Sequence, residues 1–230
     1  MVGAAKLLRA TLVLASGSPL GASSSALIPA AVSIELLHLA SLVHDDIIDE
    51  ATERRGGPAL HVTVGRNRAL VVGDLLIVAA FDVMSQARPA VSAEVFAGSV
   101  EALSKGAQRC CSGQIEELDP GAHVPSEEHY LDVVAKKTGS LFSVAASLGA
   151  LAAGAGDEDV AVLATIGTEL GVAYQIRDDL RDGAHEVARF APTFATYARA
   201  IDAVLGTLDR VPAPCNDELR ILAEAMLPPA

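Results

Sequence analysis

The sequence has few aromatic residues: they make up 3% of its 230 residues, and it has no tryptophan. Hydrophobic residues still account for 51% of the chain, so the core has to be built from alanine, leucine, valine and isoleucine. This mixture suits closely packed helices, whereas a sheet would favour more aromatic side chains. No segment shows sustained strand alternation. We therefore predict an all-α protein and, because no linker-like composition divides the chain, a single domain over residues 1–230.

Basic residues are also scarce. The chain has 17 lysines and arginines against 29 acidic residues, a formal net charge of -12, which excludes the basic surface that nucleic-acid binding requires. Its three cysteines, Cys110, Cys111 and Cys215, have neither metal-ligand spacing nor the even number of a disulfide framework. This usage fits a reducing compartment, so we predict a cytoplasmic protein.

Long uncharged apolar runs are missing as well. No stretch reaches the ~18 uncharged apolar residues expected of a membrane span, which predicts a protein that is not integral to the membrane. The apolar run at residues 10–15, which follows Lys6 and Arg9, is shorter than the ~7–15 residues of a secretory signal core.

Two short acidic motifs share one spacing, with carboxylates at i, i+1 and i+4. The motifs are Asp45, Asp46 and Asp49, and Asp178, Asp179 and Asp182. On a helix the first and last carboxylates lie one turn apart on one face. A single copy is equally compatible with a solvated helix turn, but two copies within apolar segments favour a shared site. Six carboxylates facing each other are costly unless divalent cations fill the space, and hard oxygen ligands favour Mg²⁺ that also binds phosphate oxygens.

Apolar periodicity and breaker residues predict seven helices. They cover about residues 29–50, 67–87, 92–117, 126–154, 157–183, 193–208 and 217–226. Ser126 is the predicted N-cap of the fourth helix, and Asp157 opens the fifth with negative charge at the positive end of the helix dipole. The two acidic motifs therefore lie on different helices.

The segment from Glu35 to His61, ELLHLASLVHDDIIDEATERRGGPALH, resembles the first aspartate-rich region of the trans-isoprenyl diphosphate synthases, also called polyprenyl synthetases. The segment from Gly171 to Asp182, GVAYQIRDDLRD, is similar to the second region of that family, with Tyr174 where phenylalanine is usual. The resemblance covers about residues 3–183. It implies an antiparallel helix bundle around a central cavity, the isoprenoid synthase fold, here shortened at both ends, with the acidic motifs facing each other across the mouth.

The resemblance also implies an activity. Three Mg²⁺ ions held by the six aspartates would bridge to the diphosphate of an allylic substrate such as geranyl, farnesyl or geranylgeranyl diphosphate. Ionisation would give an allylic carbocation, which the double bond of isopentenyl diphosphate attacks to extend an all-trans chain by five carbons. Metal ions and fixed cations make this possible because they neutralise the departing charge in place. The family pattern further implies a homodimer.

Matching positions imply roles for individual residues. On the allylic diphosphate side the matches are Arg54, Lys137, Thr138 and Gln175. On the isopentenyl diphosphate side they are Lys6, Arg9, His38 and Arg55. The residues expected to contribute directly to catalysis are Asp45, Asp49, Arg54, Lys137 and Asp178. Taken singly, Arg54 and Arg55 are more typical of a solvated turn, His38 of a hydrogen-bonded core residue and Lys137 of an exposed helix face. Their joint placement favours the functional interpretation.

Product length is expected to depend on the residues just before the first motif. Ala40 and Ser41 lie five and four positions upstream of Asp45, where the family's growing chain enters the cavity. Both are small. A bulky side chain here would close the end of the cavity, because a packed interior cannot shift to make room for a longer prenyl chain. The interpretation favours a product of twenty carbons or longer, with a block deeper down, at Gly73 and Asp74, left open.

The sequence departs from the family pattern at two places. The N-terminal Gly-Lys-Arg-x-Arg-Pro run reads AKLLRA at residues 5–10, and the lysine-bearing flap expected after Asp182 has no counterpart. Arg181, Arg189 or a partner subunit are the candidates to replace it. Two alternatives follow: an enzyme that joins the allylic group to another acceptor or cyclises it, or a non-catalytic subunit of a heteromeric synthase. Intact aspartates in both motifs count against a cyclase and against a non-catalytic subunit.

Overall fold

A computed structural model of the chain describes residues 7–119, 126–182 and 190–227, without the side chain of Asp182. Within these ranges the protein is almost entirely helical, which confirms the all-α prediction. The helices are α1 Leu8–Gly17, α2 Ser24–Ile48, α3 Leu60–Val64, α4 Arg66–Ser85, α5 Ala93–Glu117, α6 Glu127–Val134, α7 Ser140–Ala152, α8 Asp157–Asp182, α9 Phe194–Leu208 and α10 Ala213–Met226. Two short antiparallel strands, β1 Glu53–Arg54 and β2 Gly57–Pro58, form a hairpin after α2.

The predicted helices are present, with shifted boundaries. Helix α2 begins at Ser24, before the predicted start near Pro29, so the proline lies inside the helix, where its carbonyl accepts from the Ser33 hydroxyl at 2.7 Å. Helix α10 likewise starts at Ala213 rather than near residue 217. Helices α1 and α3 were not predicted because α1 is short and α3 has only five residues, too few for a clear period.

The predicted helix over residues 126–154 is continuous but not uniform. Ser126 caps it by accepting from the His129 amide at 3.2 Å, as expected. Between α6 and α7 the chain forms a π-helical turn, Ala135–Gly139. Such a turn contains one extra residue and re-aims the side chains that it carries, and it occurs frequently at functional sites. Lys137 and Thr138, two of the predicted substrate-binding residues, lie in it.

Helix α7 is the centre of the bundle. It packs against α1, α2, α5 and α8 and is buried along most of its length. Two glycines bring α8 close to it: a Cβ on Gly167 would lie 2.5 Å from the Phe142 carbonyl oxygen, and one on Gly171 would lie 2.8 Å from the Gly139 Cα. Alanine at either position would force the helices apart, so these glycines set how closely α8 approaches the π turn.

Two segments, Ser24–Ile48 and Arg66–Ala90, are long and apolar enough to cross a membrane by length and composition alone. Half of the first apolar window is buried in the protein, as expected for a core helix, whereas 22% of the second is buried. Helix α4 therefore exposes an apolar face, on which Val71, Leu75 and Val78 are each more than 60% exposed.

Candidate active site

The first acidic turn lies at the end of α2 and its three carboxylates have different surroundings. Asp45 is partly buried, and burial, together with the charges of Asp49 and Glu117, raises its pKa although Lys137 opposes the shift. Asp46 is 4% exposed and accepts from the Arg54 Nε at 2.8 Å. Asp49 is exposed at the end of the helix. Asp45 and Asp49 are therefore the carboxylates of this turn that form no direct ion pair with a residue that the structure describes.

The hairpin after α2 places Arg54 and Arg55. Its two-residue turn consists of Arg55 and Gly56, both with positive φ, 54° and 77°, the geometry that joins strands of right-handed twist. An arginine in the left-handed region costs of order 1 kcal/mol, and such residues cluster at functional sites. Asp46 forms a side-chain hydrogen bond that raises the Arg54 pKa, and the charges of Asp45 and Asp49 raise it further.

Arg9, His38 and Arg55, the described residues assigned to the isopentenyl diphosphate side by the sequence, lie near one another, because the charges of both arginines act on His38. Burial lowers the pKa of His38 to about 2, and the charges of Arg9, Arg55 and Arg54 add to the shift, so the imidazole is neutral. Arg9 is 8% exposed, and its guanidinium carbon lies 4.4 Å from the centroid of the Phe142 ring. Burial also lowers the Arg9 pKa to about 10. Lys6 lies outside the described residues.

The second acidic turn is built differently. Asp179 is 5% exposed and accepts from the Tyr130 hydroxyl at 2.6 Å and from the Gln175 side-chain amide at 2.7 Å. Burial raises its pKa, although both hydrogen bonds oppose the shift. Asp178 accepts from Arg177 at 2.7 Å, and Arg181 lies 3.8 Å from it. Of the two predicted replacements for the flap lysine, Arg181 is thus near the motif, whereas Arg189, like the side chain of Asp182, lies outside the described residues.

The π turn connects the two halves of the site. Thr138 donates to the side-chain oxygen of Gln175 at 3.0 Å, and the Lys137 Nζ lies 2.5 Å from the Glu117 Oε2. Burial alone would lower the Lys137 pKa, but the charges of Asp45 and Glu117 outweigh it, so the pKa is raised. Lys137 therefore stays protonated between carboxylates of α2 and α5.

Two further residues belong to the site and were not predicted. Glu117, 15% exposed at the end of α5, contributes to the raised pKa of both Asp45 and Asp179, which indicates that it lies near both acidic turns. A glutamate at the negative end of a helix dipole is unfavourable without a cation partner. This position of Glu117 was the signal in the sequence that could have indicated a role in the site. Tyr130, fully buried, gave no comparable signal because its partner is distant in sequence.

The donor set fits Mg²⁺. Within the described part of the chain, no three histidine, cysteine, aspartate or glutamate side chains are close enough to enclose a metal ion by themselves. This is compatible with Mg²⁺, which is bound through one or two carboxylates and shares its remaining positions with water and phosphate oxygens. Asp45 and Asp179 both have raised pKa values, in part because of neighbouring carboxylates, so a nearby divalent cation would relieve real repulsion.

The residues predicted to control product length lie one turn before the first motif. Ala40 is 1% exposed, and the Ser41 hydroxyl donates to the His38 carbonyl at 2.8 Å. Close by, a Cβ on Gly73 would lie 2.1 Å from the His44 Nε2. Helix α4 therefore packs tightly on α2 near His44. The effect of Ala40 and Ser41 on product length stays a prediction.

The polyprenyl synthetase family model matches residues 1–192. A geranylgeranyl diphosphate synthase from Sulfolobus acidocaldarius is 36% identical over 176 residues, which cover 76% of this chain and 53% of that protein. The chain spans about half the length of the curated relatives it matches.

Solved structures give the same result. A farnesyl/geranylfarnesyl diphosphate synthase from Zymomonas mobilis superposes with a TM-score of 0.87 at 25% identity, covering 98% of this chain and 84% of that one. A geranyltransferase from Helicobacter pylori, in complex with magnesium and isoprenyl diphosphate, has a TM-score of 0.81 at 25% identity and covers 96% and 84%. The fold is thus that of the isoprenoid synthases. The chain belongs to the polyprenyl synthetase family.

Proposed function

We propose that the protein is a Mg²⁺-dependent trans-prenyltransferase that condenses an allylic diphosphate with isopentenyl diphosphate. The relatives are named as isoprenyl diphosphate synthases, and one solved relative binds magnesium and isoprenyl diphosphate. The observation that supports the proposal best is Glu117, whose charge acts on both acidic turns while it pairs with Lys137. In this proposal, carboxylates of α2, α5 and α8 and the cation of the π turn serve one region.

In this proposal Asp45, Asp49, Asp178 and Asp182 hold Mg²⁺, three ions by the family pattern, while Asp46 and Asp179 orient the turns. Bound Mg²⁺ would supply Lewis acidity that neutralises the diphosphate leaving group. Arg54 and Lys137 add fixed positive charge to the same diphosphate as its bond to the allylic carbon breaks. Thr138 and Gln175 position its oxygens on the side of α8.

The isopentenyl diphosphate would bind at Arg9, His38 and Arg55. The two guanidinium groups offer planar donor forks for phosphate oxygens. Neutral His38, whose Nδ1 has no hydrogen-bond partner among the described residues, can accept or donate without adding charge. The double bond of this substrate attacks the allylic cation, one carbon–carbon bond forms, and loss of a proton from the condensed product restores a double bond.

One assay tests the proposal against its alternatives. The purified chain is incubated with Mg²⁺, farnesyl diphosphate and radiolabelled isopentenyl diphosphate, and the products are sized. Labelled products longer than the primer support the proposed condensation. Consumption of farnesyl diphosphate without incorporated label indicates another acceptor or a cyclisation, and activity that appears only with an added synthase subunit indicates a non-catalytic partner.

Product length is tested with Ser41→Phe. If the growing prenyl chain passes this position, the aromatic ring should block its path and shorten the labelled products. The packed interior has no room for the ring and a further prenyl unit together. We propose a product of twenty carbons or longer for the unaltered chain. The same product ladder in the variant and the unaltered chain would show that Ser41 does not face the growing chain.

We also propose a cytoplasmic homodimer that forms through the exposed face of α4. Val71, Leu75 and Val78 project from one side of this helix, and apolar patches of this kind mark contacts with other chains. Val71→Glu with Leu75→Glu should then shift the sedimentation coefficient from dimer to monomer. A monomeric unaltered chain would reject the dimer, and recovery in the membrane fraction of cells would reject the location.

A further inference from the structure

One polar cavity lies outside the proposed active site, since none of its described lining residues belongs to either acidic turn. It has a volume of about 180 Å³ and opens between α5, α7 and α8. Lys105 and Arg109, one turn apart on α5, line it from one side, and Ser140, Ser143 and Thr168 line it from the other. No acidic side chain is among the described residues that line it. The described lining of the cavity is therefore positively charged, although the chain as a whole has a net charge of -12.

Ser140 distinguishes this cavity from an ordinary surface cleft. The residue is 4% exposed, and its buried hydroxyl has no hydrogen-bond partner among the described residues. The neighbouring hydroxyls are satisfied: Ser143 donates to the Ala164 carbonyl at 2.9 Å, and Thr168 donates to the same carbonyl at 3.1 Å. A buried polar group without a partner is unfavourable. The Ser140 hydroxyl is itself buried beneath the cavity lining, so it would meet an acceptor in the cavity by turning to another side-chain rotamer.

The basic side chains make an anionic acceptor the best match. Arg109 is exposed and has no ion pair with any described residue, so its five donors are available. Lys105 lies 2.5 Å from Glu101, but both side chains are largely exposed, and surface pairs of this kind are weak enough to be exchanged. The volume equals that of roughly six waters at ~30 Å³ each, enough for a group with several oxygens.

We propose that this cavity is a secondary binding site for a phosphate-type oxyanion, either orthophosphate or diphosphate. The anion would accept from the guanidinium of Arg109 and the hydroxyl of Ser140, with Lys105 adding positive charge at the opening. Ser140 follows directly on the π turn that carries Lys137, so the anion would contact the same helix from behind the proposed active site. The inference rests on this cavity alone and does not require prenyl transfer.

The test is isothermal titration of the full chain with orthophosphate and, separately, with diphosphate, in EDTA so that no divalent cation is present. Arg109→Gln and Ser140→Ala should each weaken one class of binding site by about tenfold or more, because a charge-assisted or buried hydrogen bond is lost. The matched control is Arg88→Gln, which removes an exposed arginine away from the cavity and should leave the affinity unchanged.

Weaker binding of either anion in both cavity variants supports the site, and the anion affected identifies the ligand. Unaltered binding in Arg109→Gln and Ser140→Ala overturns the inference. An equal loss in Arg88→Gln also overturns it, because the effect would then be general surface charge. Circular dichroism spectra that match the unaltered chain confirm that Ser140→Ala is folded, and Arg109→Gln changes only an exposed side chain. None of these results depends on isoprenoid substrates.

Discussion

In the acidic turn of α2 the buried carboxylate, Asp46, is held by a cation, Arg54 of the hairpin. In the acidic turn of α8 the corresponding carboxylate, Asp179, is held by two neutral donors, Tyr130 and Gln175. The spacing of the motifs is identical, yet the first is tied to a surface hairpin and the second to the interior of the bundle.

The comparison explains why each motif contains an adjacent pair of aspartates. A helical residue at i+1 points about 100° away from residue i, whereas i and i+4 share a face. The second aspartate of each pair therefore turns into the protein, where it is 4–5% exposed, and fixes the turn. In the first motif, Asp45 and Asp49 form no ion pair with a described residue and remain available to a ligand. In the second motif, Asp178 pairs with Arg177 at 2.7 Å, so a cation there would displace that contact. We therefore expect substitutions of the aspartates that face the site to lower activity, and substitutions of the residues that anchor Asp46 and Asp179 to lower stability.

The largest effect is expected for the aspartates that face the site. Asp45→Asn and Asp178→Asn should each lower kcat about 10²–10³-fold, because one charged ligand opposite the leaving group is lost. Labelled product formation with saturating Mg²⁺ measures this. Asp202→Asn, an exposed carboxylate on α9, is the matched control and should retain full activity. Unchanged rates in the first two variants would reject the metal assignment.

Arg54→Gln should have the next largest effect, because it leaves buried Asp46 without its cation. Breaking a buried pair costs about 3–5 kcal/mol, but Arg54 is 39% exposed, so we expect about 1–3 kcal/mol in the free energy of unfolding from urea titration. Arg66→Gln, which breaks the exposed contact with Glu50 at 3.9 Å, should cost less than about 0.5 kcal/mol. Equal losses in the two variants would contradict the anchoring role.

Tyr130→Phe removes one of the two neutral donors to Asp179 and should cost about 1–2 kcal/mol in the free energy of unfolding. Gln175 still donates to Asp179, so the loss should be smaller than for Arg54→Gln. A less well-oriented turn should also raise the Mg²⁺ concentration needed for half-maximal activity severalfold. If both the unfolding curve and the Mg²⁺ titration match those of the unaltered chain, Tyr130 does not position Asp179.

His38→Gln should have no effect on unfolding at high pH and a measurable one in acid. The folded-state pKa of His38 is lowered to about 2, below the unfolded value, so the unfolded chain binds the extra proton and stability is lost as pH falls below about 6.5. Between pH 7.5 and 5 the variant should therefore lose about 2 kcal/mol less than the unaltered chain. Urea titrations across this range measure it, and parallel pH profiles would contradict a buried neutral imidazole.

Much of the fold could be predicted because its signals are local. The Ser126 cap, the acidic first turn of α8 and the extents of α4 and α5 follow from residues a few positions apart. Boundaries failed where a local rule was outweighed: Pro29 was expected to start α2, but packing of the apolar residues before it extends the helix to Ser24. The hairpin at Arg55 and Gly56 was missed because two-residue strands carry no period.

The all-helical class and the two acidic turns were already encoded in the order of residues, since helix periodicity and the i, i+1, i+4 spacing act within one or two turns. The surroundings of those turns were not. Tyr130 and Asp179, or Glu117 and Lys137, are far apart in the chain. Whether such pairs meet depends on how α6 packs against α8 and how α5 packs against the π turn. Folding set these partners, and with them which carboxylates are anchored and which remain available, because a contact between distant residues exists only after the helices have been brought together.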